Sequence, residues 1–177
     1  MSTQVTVPGY AAGTWLIDPA RSVVSFQTKM LGFLTARGTF DDFEGKIVLA
    51  ESPLESTVKA VVRTASVNTK NARRDTDLRK EGYLSVDTHP TMTFASTAVR
   101  AEGDSFVVEG DLSVLAVTKH LTLNLVPQGF DGTGGRDTVH FTATTVLSNK
   151  EVGVTKGAAF ISDRTQVTLD IVATKQS

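Results

Sequence analysis

The sequence contains no cysteine among its 177 residues. Disulfide bonds, cysteine nucleophiles and metals held by thiolates are therefore excluded. It also has no run of about eighteen apolar residues, so no transmembrane helix is expected. The first ten residues, MSTQVTVPGY, lack the basic start and the unbroken apolar stretch of a secretory signal. We therefore expect a cytoplasmic protein.

An excess of charge of one sign is also missing. Lys and Arg number 18 against 19 Asp and Glu, which gives a formal net charge of -1. Without a basic excess the protein has no overall field that attracts nucleic acid, so no nucleic-acid partner is expected. The length suits one domain. We place this domain at residues 12–173 and expect residues 1–11 to form a flexible segment before it.

Recognisable catalytic and metal-binding motifs are absent as well. His89, His120 and His140 show no ligand spacing, no carboxylate adjoins them in the sequence, and His120 is expected in a turn. Asp75 and Asp77 lie among arginines, which favours ion-paired helix residues over an acid–base pair. We therefore predict no catalytic residue, no metal and no cofactor.

Alternation of apolar and polar side chains is the dominant pattern that is present. Such alternation, rich in Val, Thr, Phe and Ile, predicts β-strands. Roughly eight strands at short spacing favour a sandwich or a barrel. Residues 41–45 are expected to form a tight reversal, residues 102–104 and 131–137 to form turns, and Gly110 to mark a bulge or a barrel corner. The clearest alternating runs are Val24–Met30, Val58–Arg63, Leu121–Leu125, Val139–Val146 and Val167–Ile171.

One segment, Asn68–Leu84, breaks the alternation. It is polar and rich in helix-tolerant residues, with Asn68 or Thr69 available as an N-cap. We expect one or two short helices laid across an opening of the barrel, with Leu78, Tyr83 and Leu84 as their apolar edge. The alternative is a solvated connection without a role.

Five stretches, in order, resemble the YceI-like family of bacterial polyisoprenoid-binding proteins. Six positions depart from the family pattern: Arg21 and Asp77 replace His, Ala116 replaces Gly, His120 replaces Pro, and Asn149 and Val152 replace the Arg and Phe of an R-x-D-F-G stretch. Changed polar residues near a barrel mouth leave the head group of the ligand open. The matching stretches are Trp15–Phe26 (W-x-I-D-x-x-H-S-x-x-x-F), Gly38–Gly45 (G-x-F-x-x-F-x-G), Ala65–Leu78 (S-V-x-T, then R-D-x-H-L), His89–Phe94 (Y-P-x-I-x-F) and Gly110–Lys119 (G-x-L-T, then G-V-T-K).

The resemblance implies a specific architecture and ligand class. Together with the strand pattern it predicts an all-β fold: an eight-stranded antiparallel lipocalin-like barrel with a short helical insertion near residues 69–84. It further implies a hydrophobic tunnel for an extended isoprenoid chain, no cofactor, no catalysis and a homodimer.

The side chains that would line this tunnel follow from strand parity. Because successive side chains point to opposite faces of a strand, one alternate set faces the interior. Plain core packing is the competing interpretation for each residue. The predicted ligand-binding residues are Val24, Phe26, Met30, Phe40, Leu49, Val62, Leu78, Tyr83, Leu84, Met92, Phe94, Leu123 and Phe141.

Three functions are compatible with the sequence. The first is non-catalytic binding, storage or transport of a polyisoprenoid, an isoprenoid quinone or another long-chain lipid, with transient membrane contact for exchange. The second is an enzyme acting on a small apolar substrate in the same cavity, which a buried carboxylate or histidine in the lining would favour. The third is a filled barrel that serves as an interaction module, which predicts an exposed apolar patch and no cavity.

Overall fold

A computed structural model of the chain describes residues 9–31, 33–132, 137–154 and 161–176. These ranges contain one α-helix, α1 (Ala72–Leu78), and three single-turn 3-10 helices at Pro19–Arg21, Pro53–Glu55 and Thr64–Ser66. The strands are β1 (Gly13–Ile17), β2 (Val23–Met30), β3 (Leu34–Phe40), β4 (Phe43–Leu49), β5 (Thr57–Arg63), β6 (Val67–Asn68), β7 (Thr91–Glu102), β8 (Ser105–Val114), β9 (Val117–Asp131), β10 (Thr138–Ser148) and β11 (Ile161–Lys175).

The strands close into an eight-stranded antiparallel barrel. Hydrogen bonding runs in the order β1–β4–β5–β7–β8–β9–β10–β11, and β1 pairs back with β11. Three of the eight positions in the barrel wall are each occupied by two consecutive strands: β1 with β2, β3 with β4, and β5 with β6. β11 pairs with β1 at residues 173–175 and with β2 at residues 165–170. On the other side, β1 pairs with β4 and β2 with β3, and then β4 pairs with β5 and β3 with β6. The predicted barrel with one short helix is confirmed.

The connections define two ends of the barrel. At the upper end lie the β2–β3 hairpin, the insertion between β6 and β7 that contains α1, the β8–β9 turn and residues 149–154 after β10. At the lower end lie the start of β1, the β4–β5 connection and the β7–β8 turn. The predicted turn at residues 102–104 is confirmed as this last turn. Of the predicted loop 131–137, residues 133–136 lie outside the described residues.

A packed core fills the lower end. Trp15, Ile47, Val139 and Ala173 are buried there, and the Trp15 ring meets the Phe130 ring edge-on at a centroid distance of 5.5 Å. The chain before β1 packs on the same core, since Ala11 contacts it and accepts a hydrogen bond from Trp15 Nε1 at 3.2 Å. The lower end of the barrel is therefore filled by side chains.

Residues 41–45 do not form the predicted reversal. β3 and β4 run in the same direction, because each pairs antiparallel with β2 or β1, which follow one another along the wall. Asp41 and Asp42 interrupt the strand without turning it, and the Asp41 carboxylate accepts hydrogen bonds from Thr39 Oγ1 at 2.6 Å and Asn68 Nδ2 at 2.8 Å. An Asp-Asp-x-x-Gly pattern is typical of turns, but here cross-strand pairing determined the outcome.

Two further local predictions are wrong and one is confirmed. His120 lies within β9, paired with Asp111 of β8, and not in a turn. The N-cap of α1 is Asn71, whose Oδ1 accepts from the Arg74 amide at 3.0 Å, and not Asn68 or Thr69, because Asn68 still belongs to β6. Gly110 does mark a bulge, since the register between β7 and β8 shifts beside it.

Within the described ranges, no helix has the length and the apolar character that crossing a membrane requires.

Candidate functional site

A cavity of about 290 Å³ occupies the upper part of the barrel, above the packed lower core. Its wall is formed by inward-facing side chains of the strands and by residues of the helical insertion. The apolar residues of the wall are Ile17, Val24, Phe26, Phe40, Phe43, Val58, Ala60, Val62, Val67, Leu78, Tyr83, Leu84, Met92, Phe94, Leu112, Val114, Leu121, Leu123, Leu147, Val152, Val154, Val167, Leu169 and Ile171.

Most of the predicted ligand-binding residues lie in this wall, and three lie elsewhere. Leu49 and Phe141 pack against the lower core. Met30 is the last residue of β2, at the hairpin, and is not part of the wall. Period-two alternation identifies the face of a strand but not the depth along the barrel, so parity alone could not separate these three. The predicted residues in the wall are Val24, Phe26, Phe40, Val62, Leu78, Tyr83, Leu84, Met92, Phe94 and Leu123.

Several wall residues are missing from the predicted set. Phe43 was assigned to a reversal, although it is the first residue of β4. Val152 and Val154 follow β10 in a segment without regular alternation, so no periodic signal marks them. Leu112 and Val114 share the inward parity of Gly110 and could have been found from that pattern.

A buried hydrogen-bond network holds the helical insertion over the cavity. The Asp75 carboxylate is buried and accepts from the Thr69 amide at 2.8 Å and from Thr69 Oγ1 at 2.5 Å. The Arg74 guanidinium donates to Thr69 Oγ1 and to the Thr69 carbonyl, both at 2.9 Å. Leu78, three residues after Asp75, then reaches the cavity wall. Asp75 therefore serves hydrogen bonding to Thr69 instead of the predicted helix-surface ion pair, whereas Asp77 pairs with Lys80 at 2.9 Å.

A glycine sets the position of one wall residue. A Cβ atom at Gly110 would lie 2.4 Å from Cζ of Phe94 and 2.6 Å from the Ala95 carbonyl oxygen. Real Cβ atoms do not approach so closely, so only glycine lets the Phe94 ring lie against β8. The bulge beside Gly110 and the ring on top of it are parts of one arrangement.

Polar groups occur in the wall where β2, β10 and β11 approach the upper end. Thr28, Thr145, Asn149 and Thr165 belong to the wall there. Thr165 Oγ1 donates to Asn149 Oδ1 at 2.7 Å, and Thr28 Oγ1 donates to the Arg164 carbonyl at 3.1 Å. This end of the cavity can offer hydroxyl and amide groups to a polar group on a ligand.

Ionisable groups are scarce in the described wall. They are Glu44 and Tyr83, and the Glu44 side chain is exposed and pairs with Arg63 at 3.1 Å. Neither a histidine nor a buried carboxylate is among the wall residues that the structure describes, and those residues contain no group of three His, Asp or Glu that could hold a metal ion.

His120, whose pKa is raised, lies outside the cavity. His120 is on the outer surface of β9, where Nδ1 lies 3.1 Å from Asp111 Oδ1 and Nε2 lies 3.6 Å from Glu109 Oε1. The hydrogen bond to Asp111 raises the pKa of His120, partial desolvation opposes this, and Glu109 raises the pKa further. This arrangement lies on the outer face of β8 and β9, and the adjoining residues Leu112 and Leu121 face the cavity.

Of the positions that depart from the family pattern, Asn149 and Val152 line the cavity. Arg21 is exposed in the 3-10 helix after β1, Asp77 pairs with Lys80, and Ala116 is exposed in the β8–β9 turn. Any effect of these departures on ligand contacts is therefore expected at Asn149 and Val152.

Comparisons with known proteins agree with this architecture. A family model described as YceI-like domain matches residues 15–173. The UPF0312 protein of Pseudomonas aeruginosa (strain LESB58) is 35% identical over 156 residues, covering 86% of this chain and 81% of that protein. Protein YceI of Shigella flexneri is 39% identical over 116 residues, covering 64% of this chain and 61% of that protein.

Solved structures share the fold at lower sequence identity. BcnA of Burkholderia cenocepacia superposes with a TM-score of 0.76 at 19% identity, over 88% of this chain and 98% of that one. A polyisoprenoid binding domain from Saccharophagus degradans superposes with a TM-score of 0.73 at 16% identity, over 92% of this chain and 98% of that one. The match of the family model to almost the whole barrel shows that the chain belongs to the YceI-like family.

Proposed function

We propose that the protein binds a long apolar molecule of the polyisoprenoid or isoprenoid-quinone class in its barrel, and stores or transports it without catalysis. The observation that carries this proposal is a cavity with a largely apolar wall, in which a group of uncharged polar side chains lies at the upper end. The polyisoprenoid binding domain with the same fold supports the ligand class.

The volume of the cavity limits how much of a long ligand it can enclose. Because an apolar cavity of about 150 Å³ is enough for benzene, 290 Å³ encloses about a dozen carbon atoms. At roughly 0.3 kcal/mol per atom, a dozen atoms give about 4 kcal/mol, which corresponds to only millimolar binding. A forty-carbon chain would gain about 12 kcal/mol and bind at nanomolar concentration. Tight binding therefore requires a long chain that widens the barrel or extends through its upper end.

The polar groups at the upper end give the ligand an orientation. With the lower end filled by the Trp15 core, the apolar tail enters first and the head group stays near Asn149 and Thr165. A hydroxyl or quinone carbonyl could exchange hydrogen bonds with such uncharged groups without leaving a buried charge.

A length series of isoprenoid alcohols tests this proposal. Displacement of the apolar dye anilinonaphthalene sulfonate should give affinities that rise about tenfold for each added five-carbon unit. An affinity that stops rising after two or three five-carbon units would contradict a long-chain ligand.

A matched pair of variants connects the affinity to the cavity. Ala60 lines the wall, and its neighbour Ala95 of β7 faces outward and is exposed. Ala60→Phe places a ring inside the barrel and should weaken binding of every member of the series, whereas Ala95→Phe should leave binding unchanged. Equal effects of the two substitutions would locate the ligand outside the barrel.

An enzyme acting on a small apolar substrate is the competing function. No ionisable side chain buried in the described wall supports it, because Glu44 points to solvent and pairs with Arg63. A cytoplasmic location and a homodimer stay predictions. Long-chain isoprenoids reside in membranes, so a carrier of this kind must make transient contact with a bilayer to load and unload.

A further inference from the structure

The tip of the β2–β3 hairpin exposes three large apolar side chains to solvent. Leu31, Phe33 and Leu34 are 53%, 74% and 48% exposed. Single exposed apolar residues are common on protein surfaces, but three at one hairpin tip form a cluster that calls for an explanation. We call these three residues the hairpin tip.

The backbone of the hairpin tip is in a conformation that its sequence does not favour. Leu31 has φ 52°, in the left-handed region where glycine or asparagine is the usual residue. A leucine occupies this position although glycine would relieve the backbone.

On the two strands of the hairpin itself, the charged residues near the hairpin tip are all basic. Residues 19–40 contain Arg21, Lys29 and Arg37 and no Asp or Glu. Lys29 and Arg37 are exposed on the outer face of β2 and β3, just below the tip. One exposed carboxylate lies beside the hairpin, that of Asp163 on the neighbouring β11, and it accepts hydrogen bonds from Ser148 Oγ and from the Lys150 amide.

The hairpin tip also lies at the upper end of the cavity. Thr28, two residues before the end of β2, belongs to the cavity wall together with Thr165, its partner in β11. β3 pairs with β6 only at Thr39 and Phe40, so Leu34 to Gly38 extend past the end of β6. The hairpin therefore projects beyond the cavity on the side where a ligand would enter.

We propose that the hairpin tip inserts into the interface of a bilayer containing anionic phospholipid, with Lys29 and Arg37 meeting the phosphate groups. An apolar insertion supported by basic residues is the combination that gives peripheral, reversible membrane binding. The tip thereby holds the upper end of the barrel against the membrane that contains the ligand. This inference rests on the proposed function, since it names the surface through which that function meets its lipid source.

Vesicle binding tests the role of the hairpin tip. Wild-type protein should co-sediment with vesicles of equal phosphatidylglycerol and phosphatidylethanolamine, and much less with pure phosphatidylcholine. Phe33→Asp should lower the partition coefficient roughly tenfold or more, because the largest inserted side chain is lost. Lys29→Gln should lower it by a factor of about five on anionic vesicles only, and added salt should abolish that difference.

A matched control is available at the opposite end of the barrel. Leu16 of β1 is 43% exposed, close to the value for Leu34. Leu34→Asp should reduce vesicle binding and Leu16→Asp should not, although both replace an exposed strand leucine. If both variants retain wild-type vesicle binding, the proposal is overturned.

The absence of cysteine allows a test that does not depend on disruptive substitutions. Phe33→Cys and Leu16→Cys each create a single labelling site for an environment-sensitive nitrobenzoxadiazole dye. Emission from position 33 should shift to the blue on adding anionic vesicles, and emission from position 16 should not. A shift at neither position, or at both equally, contradicts insertion of the hairpin tip.

The outcomes separate this inference from the proposed function. The dye-displacement assay contains no vesicles, so Phe33→Asp should bind isoprenoid alcohols as well as wild type does. If wild type binds the alcohols but no vesicle, the docking inference alone fails. If light scattering shows a dimer that Phe33→Asp dissociates, while vesicles do not recruit the protein, a second copy occupies the tip and the inference is overturned.

Discussion

The ring of Phe26 lies directly against the backbone of Gly38 on the adjacent strand. A Cβ atom at residue 38 would be 2.6 Å from Cζ of Phe26 and 2.9 Å from Cγ2 of Thr69. Phe26 and Gly38 are register partners in β2 and β3, and the Phe26 ring also contacts that of Phe40 at a centroid distance of 5.3 Å. Gly38 therefore fixes both the cavity wall and the approach of the insertion that carries Thr69.

Gly38→Ala should destabilise the protein and narrow the cavity. The added methyl group pushes the Phe26 ring inward, and such overpacking costs about 1–3 kcal/mol. Urea unfolding should show the loss of stability, and dye displacement should show weaker binding of long isoprenoid alcohols. Gly132→Ala is the control, because Gly132 is exposed and, among the described residues, its added methyl would meet only the Asp137 carboxylate at 3.2 Å. If Gly38→Ala behaves like this control, the proposed packing of Phe26 is wrong.

Asp75→Ala should loosen the helical insertion. It removes the acceptor of both Thr69 hydrogen bonds, and leaving a buried donor unsatisfied costs about 1–3 kcal/mol. Amide hydrogen exchange should increase across residues 69–84 before it increases in the barrel strands. Asp77→Ala, at an exposed position paired with Lys80, should leave exchange close to wild type. Equal exchange in the two variants would show that the Asp75 network does not hold the insertion.

Asn149→Leu should change the preference of the protein for a ligand head group more than its affinity for the apolar chain of the ligand. Asn149 is a polar wall residue that departs from the family pattern, and a leucine there cannot hydrogen-bond a ligand hydroxyl. The preference for an isoprenoid alcohol over the corresponding hydrocarbon should fall by about 1 kcal/mol. Asn124→Leu, on the exposed face of β9, is the control. An unchanged preference in Asn149→Leu would place the head group elsewhere.

The hydrogen bond between His120 and Asp111 should make the free energy of unfolding fall as the pH rises above about 6.5. Because hydrogen bonding to Asp111 raises the pKa of His120 above 6.5, the folded state binds this proton more tightly than the unfolded state. The contribution is fully present below pH 6.5 and is lost as pH rises through the folded-state pKa. The thermal unfolding temperatures of wild type and of Asp111→Asn should therefore approach each other as the pH rises from about 6 to 8. If the difference between the two unfolding temperatures grows with pH, the proposed effect of Asp111 on His120 is wrong.

The sequence determines the face of each strand much better than the depth of each residue. Alternation and the family motifs predicted the barrel, the insertion and the wall positions of Phe26, Phe40 and Phe94. They could not separate Leu49 and Phe141 from the wall, because depth depends on the closure and stagger of the whole barrel. The predicted reversal at Asp41 and Asp42 is wrong, because a turn-like composition does not show which strands pair with the residues on either side.

Extraction of bound lipid tests the central claim most directly. Freshly purified protein would be extracted with organic solvent and analysed by mass spectrometry, beside the Ala60→Phe and Ala95→Phe variants prepared in the same way. We predict a stoichiometric isoprenoid or isoprenoid quinone from wild type and Ala95→Phe, and much less from Ala60→Phe. Empty extracts from wild type expressed in a native-like bacterial host, or equal yields from all three proteins, would contradict binding of an isoprenoid in the barrel.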